Sequence, residues 1–167
     1  VILNVDVDST SATGGRIWIR WTRPIPSVEN FDTLTYPGPY TFNLKHRSGS
    51  SGNFSTIQTF TNNLFYALDT LFLHENINTT AEDQYYVVEF IAGSTSIGTS
   101  QNAGSVFLTG TPSDRRMDLK WASRTPWKNT KYTIYKKDYS SPQYNLIAST
   151  SKTQYTDSIN VLNDSAY

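Results

Sequence analysis

The chain has 167 residues, which is enough for one large domain or two small ones. Its 14 basic and 14 acidic residues balance, which excludes a strong electrostatic attraction to nucleic acid or to an anionic membrane. Charged residues make up only 17% of the chain and Cys is absent, so neither disulfide bonds nor thiolate metal sites can form. This polar, Tyr-rich composition is typical of a β-rich extracellular module, and no apolar run approaches the roughly 20 residues that cross a bilayer.

Apolar and polar residues alternate along most of the chain, which predicts half-buried β-strands. The stretch GRIWIRW at 15–21 is the clearest case, because Ile17, Ile19 and Trp21 share one face. Trp18 lies on the opposite face, so the pattern predicts an outward Trp18 and a buried Trp21. The same alternation recurs in YTFNLKH, FSTIQTF, YYVVEFIA, RMDLKW and YTIYKK. Clusters of Gly, Ser, Asn and Pro between these runs supply the turns.

One stretch leaves two alternatives open. In NNLFYALDTLFL at 62–73, the residues Leu64, Leu68, Leu71 and Phe72 have helical spacing. A strand with an irregular connection fits the same residues, and we expect this second alternative.

The chain contains two copies of one unit. GRIWIRW at 15–21 matches RRMDLKW at 115–121, with Trp21 aligned to Trp121. The segments that follow match in the same order: YTFNLKHR with YTIYKKDY, NFSTIQTF with QYNLIAST, and INTTAEDQY with INVLNDSAY. On this alignment Tyr167 falls opposite Tyr85, where a strand of the first copy begins. We therefore expect the second copy to stop before its last two strands.

These patterns resemble a known fold family. A strand of the form apolar-x-apolar-x-Trp followed by Pro, in IWIRWTRP, and a late Tyr-x-Val-x-apolar strand, in YYVVEF, resemble the fibronectin type III fold. The resemblance implies an all-β chain of two tandem, immunoglobulin-like β-sandwiches. We expect the first sandwich at 1–102, a linker at 103–105, and a second, C-terminally incomplete sandwich at 106–167.

The second copy resembles a narrower group. LKWASRTPWKNTKYTIYKKD, followed by YNLIASTSKTQYTDSINV, is similar to the fibronectin-like repeats of large Bacteroidetes surface proteins. Proteins with such repeats often end in a gliding-motility-associated sorting domain that the type IX secretion system recognises. The resemblance implies an exported protein that is extracellular or at the cell surface.

Five triplets of Asp followed by Ser or Thr are similar to the O-glycosylation sequon of exported Bacteroidetes proteins. They are DST at 8–10, DTL at 32–34, DTL at 69–71, DSI at 157–159 and DSA at 164–166. The resemblance implies sugars on Ser9, Thr33, Thr70, Ser158 and Ser165. The alternative is that these are ordinary turn pairs, since both side chains bond nearby backbone groups.

Catalytic patterns are weak. His46 and His74 stand alone in the sequence, without the second His or Glu that the spacing of a metal site requires. Asp6 and Asp8 share one strand face but lack the further oxygen ligands of a calcium site. We expect no catalytic residue, no metal and no cofactor.

The sequence favours a non-catalytic spacer or adhesion segment of an exported bacterial surface protein. The alternative is a carbohydrate-binding accessory module of a polysaccharide-processing protein, with Trp18 as its candidate ligand-binding residue. A row of outward Trp and Tyr on one sheet would favour sugar binding, whereas a plain polar surface would favour a spacer. Expected partners are other domains of the same polypeptide, a surface protein or glycan, and a second copy of the chain pairing through the edge of strand 131–137.

Overall fold

A computed structural model describes residues 1–27, 31–122, 124–138, 141–158 and 161 of the chain. The chain forms two compact units, which we describe separately. Unit 1 comprises Val1–Val106 with Arg124–Pro126, and unit 2 comprises Phe107–Ser123 with Trp127–Tyr167. The regular structure of the described residues consists of strands and one short 3₁₀ turn, which confirms the predicted all-β fold class. Within these residues, no helix is both long enough and apolar enough to cross a membrane.

Unit 1 is a sandwich of two antiparallel sheets. Its strands are β1 Ile2–Ser9, β2 Gly15–Trp21, β3 Tyr40–Ser48, β4 Ser55–Asn62, β5 Leu71–Ile77, β6 Gln84–Ala92, β7 Thr95–Thr99 and β8 Ala103–Gly104. One sheet has the order β1-β2-β5, and the other has the order β4-β3-β6-β7, with β8 added on β6. Strands that are distant in sequence, such as β3 and β6, therefore become neighbours.

The alternation of β2 produces the inward and outward faces that the sequence predicts. Ile17 and Ile19 are fully buried and Trp21 is 2% exposed, whereas Trp18 is 37% exposed. Because successive strand side chains point to opposite faces, the whole apolar set of β2 is buried between the sheets.

Aromatic rings fill the interior of unit 1. Trp21 packs against Phe42 and Phe60, with ring centroids 6.0 and 5.4 Å away. Phe31, from the connection between β2 and β3, meets Phe90 at 5.0 Å in an edge-to-face contact. Rings in such orientations add to the stabilisation that comes from their buried area.

The stretch 62–73 forms a 3₁₀ turn at Phe65–Ala67 and then enters β5 at Leu71. The helical alternative is therefore wrong. Leu64 is 51% exposed and Leu71 is 43% exposed, so the four residues with helical spacing do not share a buried face. The Asn62 side-chain oxygen accepts the Leu64 amide at 2.9 Å, an arrangement that favours a turn.

Unit 2 also contains two antiparallel sheets. Its strands are β9 Phe107–Ser113, β10 Arg116–Ala122, β11 Tyr132–Lys137, β12 Tyr144–Thr150 and β13 Gln154–Asp157. One sheet has the order β13-β10-β9, and β11 pairs with β12 in the other. These pairings repeat those of β5-β2-β1 and of β3-β4 in unit 1.

The interior of unit 2 combines a ring contact with an ion pair. Trp121 of β10 is buried and meets the Tyr132 ring of β11 at 5.3 Å. The Lys136 ammonium lies 3.0 Å from the Asp157 carboxylate, and both side chains are largely buried. Breaking a buried pair leaves an uncompensated charge, so this contact constrains how β11 and β13 face one another.

Candidate functional site

Trp18 lies on the outer face of the sheet formed by β1, β2 and β5. Its partner across β1 is Asp6, and its partner across β5 is Leu73. The side chain of Trp18 is 37% exposed, with a carboxylate and an aliphatic residue at the paired positions on either side.

The surroundings of Trp18 are mixed in chemistry. Asp8 and Arg16 form an ion pair at 2.6 Å, and Leu71 is exposed opposite Arg20. The three strands contain no Tyr and no further Trp except the buried Trp21. This sheet face consequently presents a single exposed aromatic ring rather than a row.

The two carboxylates of β1 are each engaged by a neighbouring side chain. Asp6 accepts a hydrogen bond from the Asn4 amide, and Asp8 pairs with Arg16. Among the described residues, no group of three or more His, Asp or Glu side chains is placed to hold a metal ion.

The structure places the predicted glycosylation residues in different environments. Thr33 and Ser158 are exposed, Ser9 and Thr70 are half-buried, and Ser165 lies outside the described residues.

The triplet at 32–34 adopts a local turn. Asp32 accepts the Leu34 amide at 3.0 Å and the Thr35 hydroxyl at 2.8 Å. Both hydrogen bonds lower the pKa of Asp32, and the bond from the Leu34 amide has the larger effect. This turn leaves the Thr33 side chain in solvent, so the turn and a modified Thr33 are compatible.

A pair of histidines, which sequence reasoning missed, lies between the sheets of unit 1. His46 of β3 and His74 of β5 have ring centroids 4.8 Å apart, at 77° to one another. They stand alone in sequence but not in space. Alternation along β3 offered a partial signal, because His46 follows Tyr40, Phe42 and Leu44 on the inward-facing side.

Gln84 fixes the orientation of His46. The Gln84 amide nitrogen donates to the carbonyls of Asn78 and Glu82, at 2.9 and 3.0 Å. Its oxygen accepts the Ser48 hydroxyl at 2.7 Å and lies 2.8 Å from His46 Nε2. Since this oxygen can only accept, His46 donates through Nε2 and carries its proton there.

Burial keeps both histidines neutral near pH 7. The pKa of His74 is lowered to about 4, mainly by burial and to a smaller extent by the neighbouring His46. Burial likewise lowers the pKa of His46, against the opposing effect of its bond to Gln84. His74 Nδ1 lies 3.0 Å from the Tyr86 hydroxyl, whose pKa burial raises. The cluster is therefore a neutral, hydrogen-bonded part of the core.

No family model and no curated protein matches the chain. Among solved structures, the chain is similar to the chicken CNTN1 FN1-FN3 domains, with a TM-score of 0.39 and 10% sequence identity. The alignment covers 97% of this chain and 56% of that one, so this chain spans little more than half of its length. The sheet topology and burial described above define the class of this protein, an all-β chain with a sandwich core.

Proposed function

We propose that the chain is a non-catalytic spacer or adhesion segment of an exported bacterial surface protein. The observation that supports this proposal best is the single outward ring of Trp18 on a face otherwise made of charged and aliphatic side chains. A row of outward rings on one sheet would favour sugar binding, whereas a spacer needs only a stable, well-hydrated sandwich.

The interior of unit 1 also supports a non-catalytic role. Its titratable rings, His46 and His74, bond to Gln84 and Tyr86 and are held neutral by burial. Both rings are half-buried and hydrogen-bonded, which supports a structural role for the pair. Export and a surface location are proposed from the similarity of the second copy to Bacteroidetes surface repeats.

A glycan-binding assay separates the spacer from the carbohydrate-binding module. We expect the face around Trp18 to bind no glycan on a polysaccharide and oligosaccharide array, because one exposed indole provides too little stacking area. The matched variants are Trp18→Ala and Leu73→Ala, which alter neighbouring positions on the same face. Retention of a glycan by the parent and by Leu73→Ala, but not by Trp18→Ala, would establish the carbohydrate-binding function instead.

O-glycosylation is the second part of the proposal, at Ser9, Thr33, Thr70, Ser158 and Ser165. Thr33 is the best-placed acceptor, since its side chain is exposed beside the Asp32 turn. The intact mass of protein from its native host should exceed the sequence mass by whole glycans. Thr33→Ala should remove one glycan, while the nearby Thr35→Ala should remove none. An unmodified mass from the native host contradicts this part of the proposal.

The partners that we propose are other domains of the same polypeptide and a surface protein. Self-association through the edge at 131–137 is a further candidate, because β11 pairs with β12 on one side only among the described strands.

A further inference from the structure

The histidine pair of unit 1 leaves two ring nitrogens without a protein partner. Each ring is held through its other nitrogen: His46 Nε2 donates to Gln84 at 2.8 Å, and His74 Nδ1 lies 3.0 Å from the Tyr86 hydroxyl. The remaining nitrogens are His46 Nδ1 and His74 Nε2. Within the described part of the chain, neither of them is hydrogen-bonded and neither is enclosed by protein. Since both side chains are only half-buried, these nitrogens are available to a ligand from solvent.

The spacing of the two rings suits a single metal ion. Their centroids are 4.8 Å apart. An imidazole nitrogen binds Zn²⁺ at about 2.0–2.1 Å, so two imidazoles that share one tetrahedral ion have ring centres roughly 5 Å apart. The two histidines are therefore about as far apart as the ligands of a shared ion.

The protonation of the pair is the one that a metal requires. Burial lowers the pKa of both rings, so no proton competes with a metal near pH 7. Because His46 carries its proton on Nε2, its Nδ1 holds the lone pair. The Tyr86 hydroxyl can accept from His74 Nδ1 and leave the lone pair on Nε2. Metal-binding histidines are commonly oriented in this way by a hydrogen bond at the second nitrogen.

The chemistry of the ligands limits the class of metal. Imidazole suits Zn²⁺, Cu²⁺ and Ni²⁺, whereas Mg²⁺ and Ca²⁺ prefer oxygen ligands. Among the described residues, no third His, Asp or Glu joins the pair. Water then completes the coordination, and binding is weaker than at a structural site with four protein ligands.

We propose that His46 and His74 bind one divalent transition-metal ion, such as Zn²⁺ or Cu²⁺, through His46 Nδ1 and His74 Nε2. Since β3 and β5 belong to different sheets, the bound ion links the two layers of unit 1. A ligand that binds only the folded chain stabilises it. This inference goes beyond the spacer or adhesion role and differs from the absence of metal that the sequence predicts.

The test is a titration of the untagged 167-residue chain with Zn²⁺, together with electron paramagnetic resonance of the Cu²⁺ form. The chain has two His and no Cys, so imidazole-bound metal can come only from this pair. We expect one ion per chain and a Cu²⁺ spectrum with two imidazole nitrogens. His46→Gln and His74→Gln should each weaken Zn²⁺ binding by about tenfold or more, because the second ligand no longer binds intramolecularly. Glu75→Gln, at an exposed position of β5, is the matched control and should bind as the parent does.

Thermal unfolding provides the second measurement. Zn²⁺ should raise the Tm of the parent and of Glu75→Gln, but not that of the folded His variants. Equal Zn²⁺ affinity of the parent and the His variants would overturn the proposal, and so would a Cu²⁺ spectrum with one imidazole nitrogen or none. If neither His variant folds, the nitrogen count on the parent chain decides.

Discussion

Replacing Trp21 by Ala should lower the free energy of unfolding of unit 1 by about 3–5 kcal/mol. The indole is 2% exposed and packs between Phe42 and Phe60, so its removal leaves a cavity that these rings cannot close. Urea unfolding followed by hydrogen exchange of the β3 and β6 amides would measure the loss within unit 1.

Trp18→Ala is the matched control, because it removes the same side chain from the same strand. Its ring is 37% exposed, so we expect a loss below about 1 kcal/mol. Equal losses at the two positions would contradict the assignment of inward and outward faces in β2.

Lowering the pH from about 6.5 to 4.5 should destabilise unit 1. The pKa of His74 is about 4 in the folded chain and close to 6.5 when unfolded, so between these values the unfolded chain binds more protons. The contribution of the neutral His74 to the stability of unit 1 is therefore fully present above about pH 6.5, and it decreases as the pH falls toward 4. Because the His74 ring is only half-buried, solvent screening keeps the loss of stability below the value that the full pKa shift would give.

The His74→Phe variant provides the control for this pH dependence. It removes the titrating group, so its stability should change less between pH 6.5 and 4.5. The carboxyls of Asp32 and Glu89, whose pKa values are lowered in the folded chain, lose their stabilising effect at lower pH. Unit 1 stability that is constant across this window, or that changes equally in the variant, would show that the His pair is not the cause.

Local alternation explains why much of unit 1 could be predicted from sequence. The positions of Trp18 and Trp21 follow from a two-residue period alone, because one face of β2 is buried and the other faces water. The stretch 62–73 shows the limit of such patterns. Its apolar spacing fits a helix, but its end enters β5, which pairs with β2 and sets Phe72 against Phe60 of the opposite sheet at 6.0 Å. Tertiary pairing here overrides the local pattern.

The histidine cluster could not be predicted in this way. His46 and His74 lie on strands of different sheets, and their contact depends on how those sheets pack. Gln84 is 1% exposed, yet the four hydrogen-bond partners of its side chain come from two separate segments, β3 and the connection between β5 and β6. A single sequence carries no local signal for such a convergence.

The ladder between β1 and β2 determines how unit 1 responds to a pulling force. β1 begins beside Trp21 at one end of the sandwich, whereas β8 pairs with the start of β6 at the other end, where Gln84 bonds to Asn78. A force applied between these two ends of unit 1 runs parallel to β1. Its hydrogen bonds to β2 run perpendicular to the strands, so they are loaded together rather than one after another. We therefore expect the ladder to share the tension, so that many of its bonds break together rather than one by one.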